Sequence, residues 1–190
     1  MVELPETIRI IGERAFFHCV KLKTLGEYFY NVTSIGDKAF SGESEKETEI
    51  DTWCPMALEI SELPTNLTYL GQGAFYYCSK IKGSSIPVGI KILYGQVFVN
   101  CYSLTISEFN NVEEIRSQAF YDNNNTTVTA IDIRQIKSIN NDAFKDPTRG
   151  NTYYKALNSI TYDSSKMSAE AIAEAFGVPY DSITWSDVNG

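Results

Sequence analysis

A single histidine is present in 190 residues, and there is no Cys-x-x-Cys pair among the four cysteines. Nucleophilic triads and zinc sites need convergent imidazoles or thiolates, so either centre would rest on His18 alone, which stands beside Cys19 and far in sequence from any polar cluster. The glycine patterns that cradle phosphates are missing too, and Gly71-Gln72-Gly73 belongs to a repeat rather than to a nucleotide loop. Glu113 and Glu114 are adjacent, so on an extended backbone their carboxylates point to opposite faces. The sequence therefore predicts a protein that is not an enzyme and uses no metal or cofactor.

Basic residues are also in short supply. Lys and Arg number 16 against 24 Asp and Glu, a net charge of −8 with a pI near 4.7, which excludes partners whose binding depends on attracting cations: a nucleic-acid backbone or an anionic membrane. Lys21, Lys23, Lys80 and Lys82 form a local basic set that reads as an ordinary solvated face. No apolar run approaches the roughly 18 residues of a membrane-spanning helix. At 43% hydrophobic and 21% charged, the composition is that of a globular chain with a core of its own.

What the sequence does have is repetition. The pattern [ILV]-x-x-[IL]-G-x-x-A-F occurs at Ile8–Phe16, Val32–Phe40 and Leu67–Phe75. Three looser copies keep the apolar slots: Ile90, Leu93, Val97 and Phe98, then Val112, Ile115, Ala119 and Phe120, then Ile136, Ile139, Ala143 and Phe144. Successive phenylalanines lie 24, 35, 23, 22 and 24 residues apart, the period of a stacked coil. A unit of this size cannot bury its apolar face alone, so the copies must share one hydrophobic column with Phe as its largest member. Cys follows Phe by three residues, and an aliphatic follows Cys by three, at Cys19/Leu22, Cys78/Ile81 and Cys101/Leu104. The alternating stretches after them, such as Ile81-Lys82-Gly83-Ser84, predict short strands that align as a parallel sheet. Pro5, Pro64 and Pro87 then close the strand, with Phe29, Phe109 and Ile133 in that slot elsewhere.

These residues resemble the BspA-type leucine-rich repeats over about residues 4–162. The resemblance implies an α/β, β-rich leucine-rich-repeat solenoid of about six repeats over 1–162, with parallel strands and short helical or 3-10 turns. It also implies a bacterial cell-surface or secreted protein associated with adhesion to host proteins and other cells. The sequence departs from the pattern in the last three copies, where Tyr94, Arg116 and Asn140 fill the Gly slot, which puts a positive-φ turn there in doubt. Glu43, Asn123 and Pro147 fill the Cys slot and suggest looser turns. Three cysteines in one repeat slot stack rather than face each other, so they read as buried, reduced hydrophobes, with Cys54 in the equivalent place after an insertion.

That insertion, Ser41–Trp53, is polar and reads as an exposed loop that Trp53 could pin. Asp122–Thr127 forms a smaller protrusion containing an Asn-x-Thr sequon. Val2-Glu3-Leu4-Pro5 looks like the middle of a repeat, so the chain reads as part of a longer solenoid, or as one trimmed of its export signal and cap. Residues 163–190 read as a C-terminal cap: Ser168 opens a helix over about 168–176, Gly177 ends it, and Ser182–Trp185 adds a last strand.

The function expected is protein binding through the extended sheet. Its outward row comprises Lys23, Glu59, Lys82, Thr105, Asp132 and Thr161, a mixed polar set suited to an irregular protein surface. The alternatives are a carbohydrate-binding module that uses some of the twelve tyrosines as stacking platforms, or a passive spacer. Contiguous exposed rings on one face would favour carbohydrate, and a ring-poor row would favour protein. Tyr94 fills a repeat slot and is expected to pack; Tyr76, Tyr77 and Tyr102 are left open.

Overall fold

The computed structural model describes residues 1–42, 56–123, 127–146, 151–152 and 154–190. Most of the expected insertion, with Trp53 and Cys54, lies outside these, as do the sequon asparagines and Pro147.

Each coil is a polygon whose corners are closed by hydrogen bonds from residue i+3 back to residue i. The slot held by Pro5, Phe29, Pro64, Pro87, Phe109 and Ile133 makes the same corner in all six coils, its carbonyl accepting from Ile8, Val32, Leu67, Ile90, Val112 and Ile136. Proline suits the slot because the corner uses only its carbonyl. Between corners run strands of two to four residues: β1 Ile10–Ile11, β2 Ser34–Ile35, β3 Tyr69–Leu70, β4 Ile92–Leu93, β5 Glu114–Ile115, β6 Ala130–Asp132, β7 Ser138–Ile139, β8 Lys145–Asp146, β9 Asn151–Thr152, β10 Ser159–Tyr162 and β11 Thr184–Asp187. Among the described residues one α-helix, α1, spans Ala169–Phe176, and 3-10 turns cover Glu27–Asn31 and Tyr180–Ser182.

The strands form two parallel rows rather than the one the sequence suggests. The first comes from the [ILV]-x-x-[IL]-G segment and runs β1-β2-β3, then β4-β5-β7. The second, where the sheet was expected, is a file of single bridges, Ser85 to Glu108 to Asp132, which becomes the sheet β6-β10-β11 at the C-terminal end. The first row escapes a period-2 reading because each strand is only two residues long. β8 and β9 form a short antiparallel pair outside both rows.

The core is the expected file of rings. Phe16, Phe40, Phe75, Phe98, Phe120 and Phe144 stack with centroids 5.2, 5.4, 6.0, 5.4 and 5.0 Å apart, nearly parallel except for the 28° between Phe98 and Phe120. Phe29 and Phe109 meet the file edge-on. Phe16 is only half-buried, because the first coil has a neighbour on one side.

Two slots carry a different role from the one expected. Gly12, Gly36 and Gly71 do not take positive φ; the left-handed residues lie two positions on, at Arg14, Lys38, Gly73, Gln96 and Gln118, and two after Phe, at His18, Tyr77, Asn100 and Asp122. The Gly slot instead permits close approach between coils: a Cβ on Gly36 would sit 2.5 Å from the Glu13 nitrogen, and one on Gly71 would sit 2.5 Å from the Asp37 nitrogen. The Cys slot is a buried donor position. Cys78 and Cys101 donate from Sγ to the carbonyls of Phe40 and Phe75 at 3.1 and 3.0 Å, and Asn123 donates from Nδ2 to that of Phe98 at 2.6 Å. Asn123 thus replaces the thiol in kind; residues 124–126, which follow it, lie outside the described residues. Cys19, Cys78 and Cys101 are free thiols, the first exposed and the others buried.

Ser168 caps α1 by accepting from the Ala171 N–H at 3.2 Å, and Gly177 closes it in the left-handed conformation. Phe176 lies 4.1 Å from Phe144 and continues the ring file as a seventh member.

Candidate functional site

The second strand row carries the candidate site. Lys23, Glu59, Lys82, Thr105 and Asp132 are exposed on it and Thr161 is half-buried. They share the row without sharing one register column. The Glu59 N–H donates to the Lys23 carbonyl at 2.8 Å, that of Lys82 to Ile60 at 2.7 Å and that of Thr105 to Gly83 at 3.0 Å, so the alignment slips between coils. Asp132 bridges Glu108, not Thr105, and pairs with Thr161 on its other side. The cause is a coil of changing length: the run from aliphatic slot to corner shortens from Leu22–Phe29 to Leu104–Phe109.

The row is grooved. Its N-terminal half opens into a hollow of about 520 Å³ between Thr24, Tyr30, Ser61, Lys80, Lys82 and Ser103, with Glu59 on its floor. Lys80 Nζ lies 3.0 Å from Glu59 Oε1. That hydrogen bond first, and then the charges of Lys80, Lys23 and Lys82, hold the Glu59 carboxyl below the usual carboxylate range. The Tyr30 hydroxyl meets Ser61 Oγ at 3.0 Å. A hollow of about 190 Å³ follows beside Ser84, Ser85 and Asn110, then one of about 180 Å³ beside Glu108, Asp132 and Arg134. Burial raises the Asp132 carboxyl, but its hydrogen bonds from Arg134 outweigh burial and leave it lowered. Charge therefore changes along the row, from an excess of lysine in the first three coils to Glu108 and a neutralised Asp132–Arg134 pair further on.

Sequence reasoning weighed Tyr30 only as one of twelve tyrosines and did not bring it to Ser61, which stands 31 residues away and meets it only by contact across coils. Among the described residues Tyr30 is the exposed ring beside the three hollows, while half-buried Tyr162 and Trp185 pack edge-on to each other on β10 and β11 of the same row. Tyr69 and Tyr94 belong to the first row, with rings 5.6 Å apart and the Arg116 guanidinium 4.7 Å over Tyr94, so Tyr94 is packed as expected. Tyr76 and Tyr77 lie against each other, half-buried, at 5.2 Å. Tyr102 is about half exposed and is held 2.6 Å from Asn100. Tyr180 stacks on Trp185 at the far end. Among the described residues no group of three or more His, Cys, Asp or Glu is arranged to hold a metal ion, and no helix is long and apolar enough to cross a membrane.

Stacked coils, a continuous ring file and two parallel strand rows define a leucine-rich-repeat solenoid. The chain belongs to the BspA type leucine rich repeat region family, whose model matches residues 1–54 and 52–167 with six copies. A leucine-rich repeat protein from Bacteroides ovatus, known from a crystal structure, is similar at 21% identity and a TM-score of 0.43 over 84% of this chain and 54% of that one. This chain thus spans about half of that one. No curated protein matches. Family and fold are those of protein-interaction and structural modules.

Proposed function

We propose that the protein is a non-catalytic binding module of a bacterial surface or secreted protein, which adheres to a host or other-cell protein through the second strand row. The observation that supports this most directly is the run of three hollows along one exposed, mixed-charge row whose residues are not needed for the core. A side chain there can change without disturbing the ring file, which is how a solenoid acquires a specific partner. The ring-poor character of the row favours a protein over a carbohydrate, because sugar recognition by stacking needs faces presented together.

The test is binding to a panel of purified extracellular proteins in parallel with a glycan array, using the wild-type chain and a variant with Thr105→Arg and Asp132→Arg on the row. Capture of one protein, lost in the variant while the melting temperature holds, supports the reading. Glycan binding without protein binding would replace it with the carbohydrate module. Silence in both would leave the spacer.

A further inference from the structure

The overall charge of −8 makes the N-terminal hollow an exception. Lys80 and Lys82 of the third coil line it around one carboxylate, Glu59, and Lys23 of the first coil, whose carbonyl accepts from the Glu59 N–H, acts on that carboxylate from beside the hollow. Lys80 is committed to Glu59. Lys23 and Lys82 are exposed and act on Glu59 only through space, with no ion pair of their own among the described residues. The hollow and the Lys23 side chain beside it therefore carry an excess of two positive charges, next to the Tyr30 and Ser61 hydroxyls.

We propose that this hollow receives acidic side chains of an extended segment of the protein partner, a reading that rests on the docking row proposed above. Lys23 and Lys82 each take a carboxylate, and the Tyr30–Ser61 pair offers a donor to the segment's backbone. The two lysines stand two coils apart, about 10 Å at the usual strand spacing, and the length of two lysine side chains lets them close on carboxylates two residues apart on one face of an extended peptide, about 6.8 Å. A nucleic acid fits less well: Glu59 lies among the lysines that would meet a phosphate, and Tyr30 is the one ring among the described residues that line the hollow. Glu108 further along the row, where Asp132 is neutralised by Arg134, repels a misplaced acidic segment and so helps fix its position.

The experiment is fluorescence anisotropy with a fluorescein-labelled Gly-Glu repeat peptide, a Gly-Gln repeat as neutral control, and a single-stranded oligonucleotide as competitor. The Gly-Glu peptide should bind and the Gly-Gln peptide should not, with affinity falling as salt shortens the screening length. Lys23→Ser and Lys82→Ser should each weaken binding about fivefold, the scale of one exposed ion pair. Glu59→Gln should strengthen it by a similar factor, a change of sign that a merely structural glutamate would not give. Lys91→Ser with Lys137→Ser, which removes two charges beside the first row, as Lys23→Ser and Lys82→Ser do together at the hollow, should leave it unchanged. Equal binding of both peptides, equal loss in the Lys91/Lys137 variant, or tighter binding of the oligonucleotide would overturn the proposal. A partner protein captured by the row but indifferent to Lys23 and Lys82 would refute the lysine hollow alone, whereas absence of any captured protein would refute the docking row.

Discussion

Gly12 and Gly71 occupy one repeat position yet respond differently to a methyl group. A Cβ on Gly71 meets the backbone of the preceding coil, at 2.5 Å from the Asp37 nitrogen and 2.6 Å from the Gly36 carbonyl carbon, while one on Gly12 meets nothing within 4 Å. Gly71→Ala should cost about 1–3 kcal/mol, the scale of overpacking, and Gly12→Ala should stay within about 0.5 kcal/mol; urea midpoints check both. The thiols divide in the same way. Burial pushes Cys78 and Cys101 well above the ordinary thiol range and shields them from reagent, so in a Cys54→Ser background only the exposed Cys19 should react rapidly with a maleimide at pH 7.5. At this scale the identity of each repeat slot was legible, and its role was only partly so. Glycine serves a positive φ and a close approach equally well, and one chain read alone does not say which. The equivalence of Cys101 and Asn123 was hidden because it lies in a donated hydrogen bond, not in size or polarity.

α1 owes its existence to signals readable in advance: Ser168 as cap, Gly177 as stop and a buried Ile172/Phe176 face. What those signals did not reveal is that Phe176 completes the ring file. Phe176→Ala and Phe75→Ala should each cost about 3–5 kcal/mol, because stacked coils cannot collapse into the hole. Their spatial patterns should differ under hydrogen exchange. Loss of Phe75 exposes amides in coils on both sides, whereas loss of Phe176 should release α1 and the last coil and spare the Phe40 carbonyl region. The two strand rows were less legible than the helix. A two-residue strand has no alternation to read, and its place comes from parallel neighbours more than 20 residues away, such as Ser34 for Ile10. The row of candidate residues was found correctly as a surface, but its register was not, since the slip between coils follows from corner spacing that differs from copy to copy.

For the whole molecule, stability is a sum over neighbouring coils, so its ends titrate separately from its middle. Asp163, only 14% exposed, accepts from Lys166, Ser165 and Asn189 and ties the last coil together. The Lys166 hydrogen bond, with those of Ser165 and Asn189, holds its carboxyl far below the usual range. A folded-state pKa below the unfolded one contributes stability that is complete above the unfolded value of about 3.9 and is lost as pH falls through the folded one. The melting temperature should therefore show no change from this group between pH 7 and 5, where its contribution is complete, and decline below about pH 4. Asp163→Asn should lower the melting temperature at pH 7 and flatten that acid decline. The recurring left-handed corner has a consequence of another kind. Gln96 and Gln118 adopt the same backbone twist, φ 61° and 59°, at equivalent points one turn apart. Excising residues 97–118 would splice Gln96 to Ala119 without altering the path of the chain, set Phe120 upon Phe75, and hand the Phe75 carbonyl from Cys101 to Asn123. The product should melt cooperatively as a shorter rod with both ends unchanged. Length in this architecture is an adjustable quantity, and the span a partner must reach could be altered a whole turn at a time.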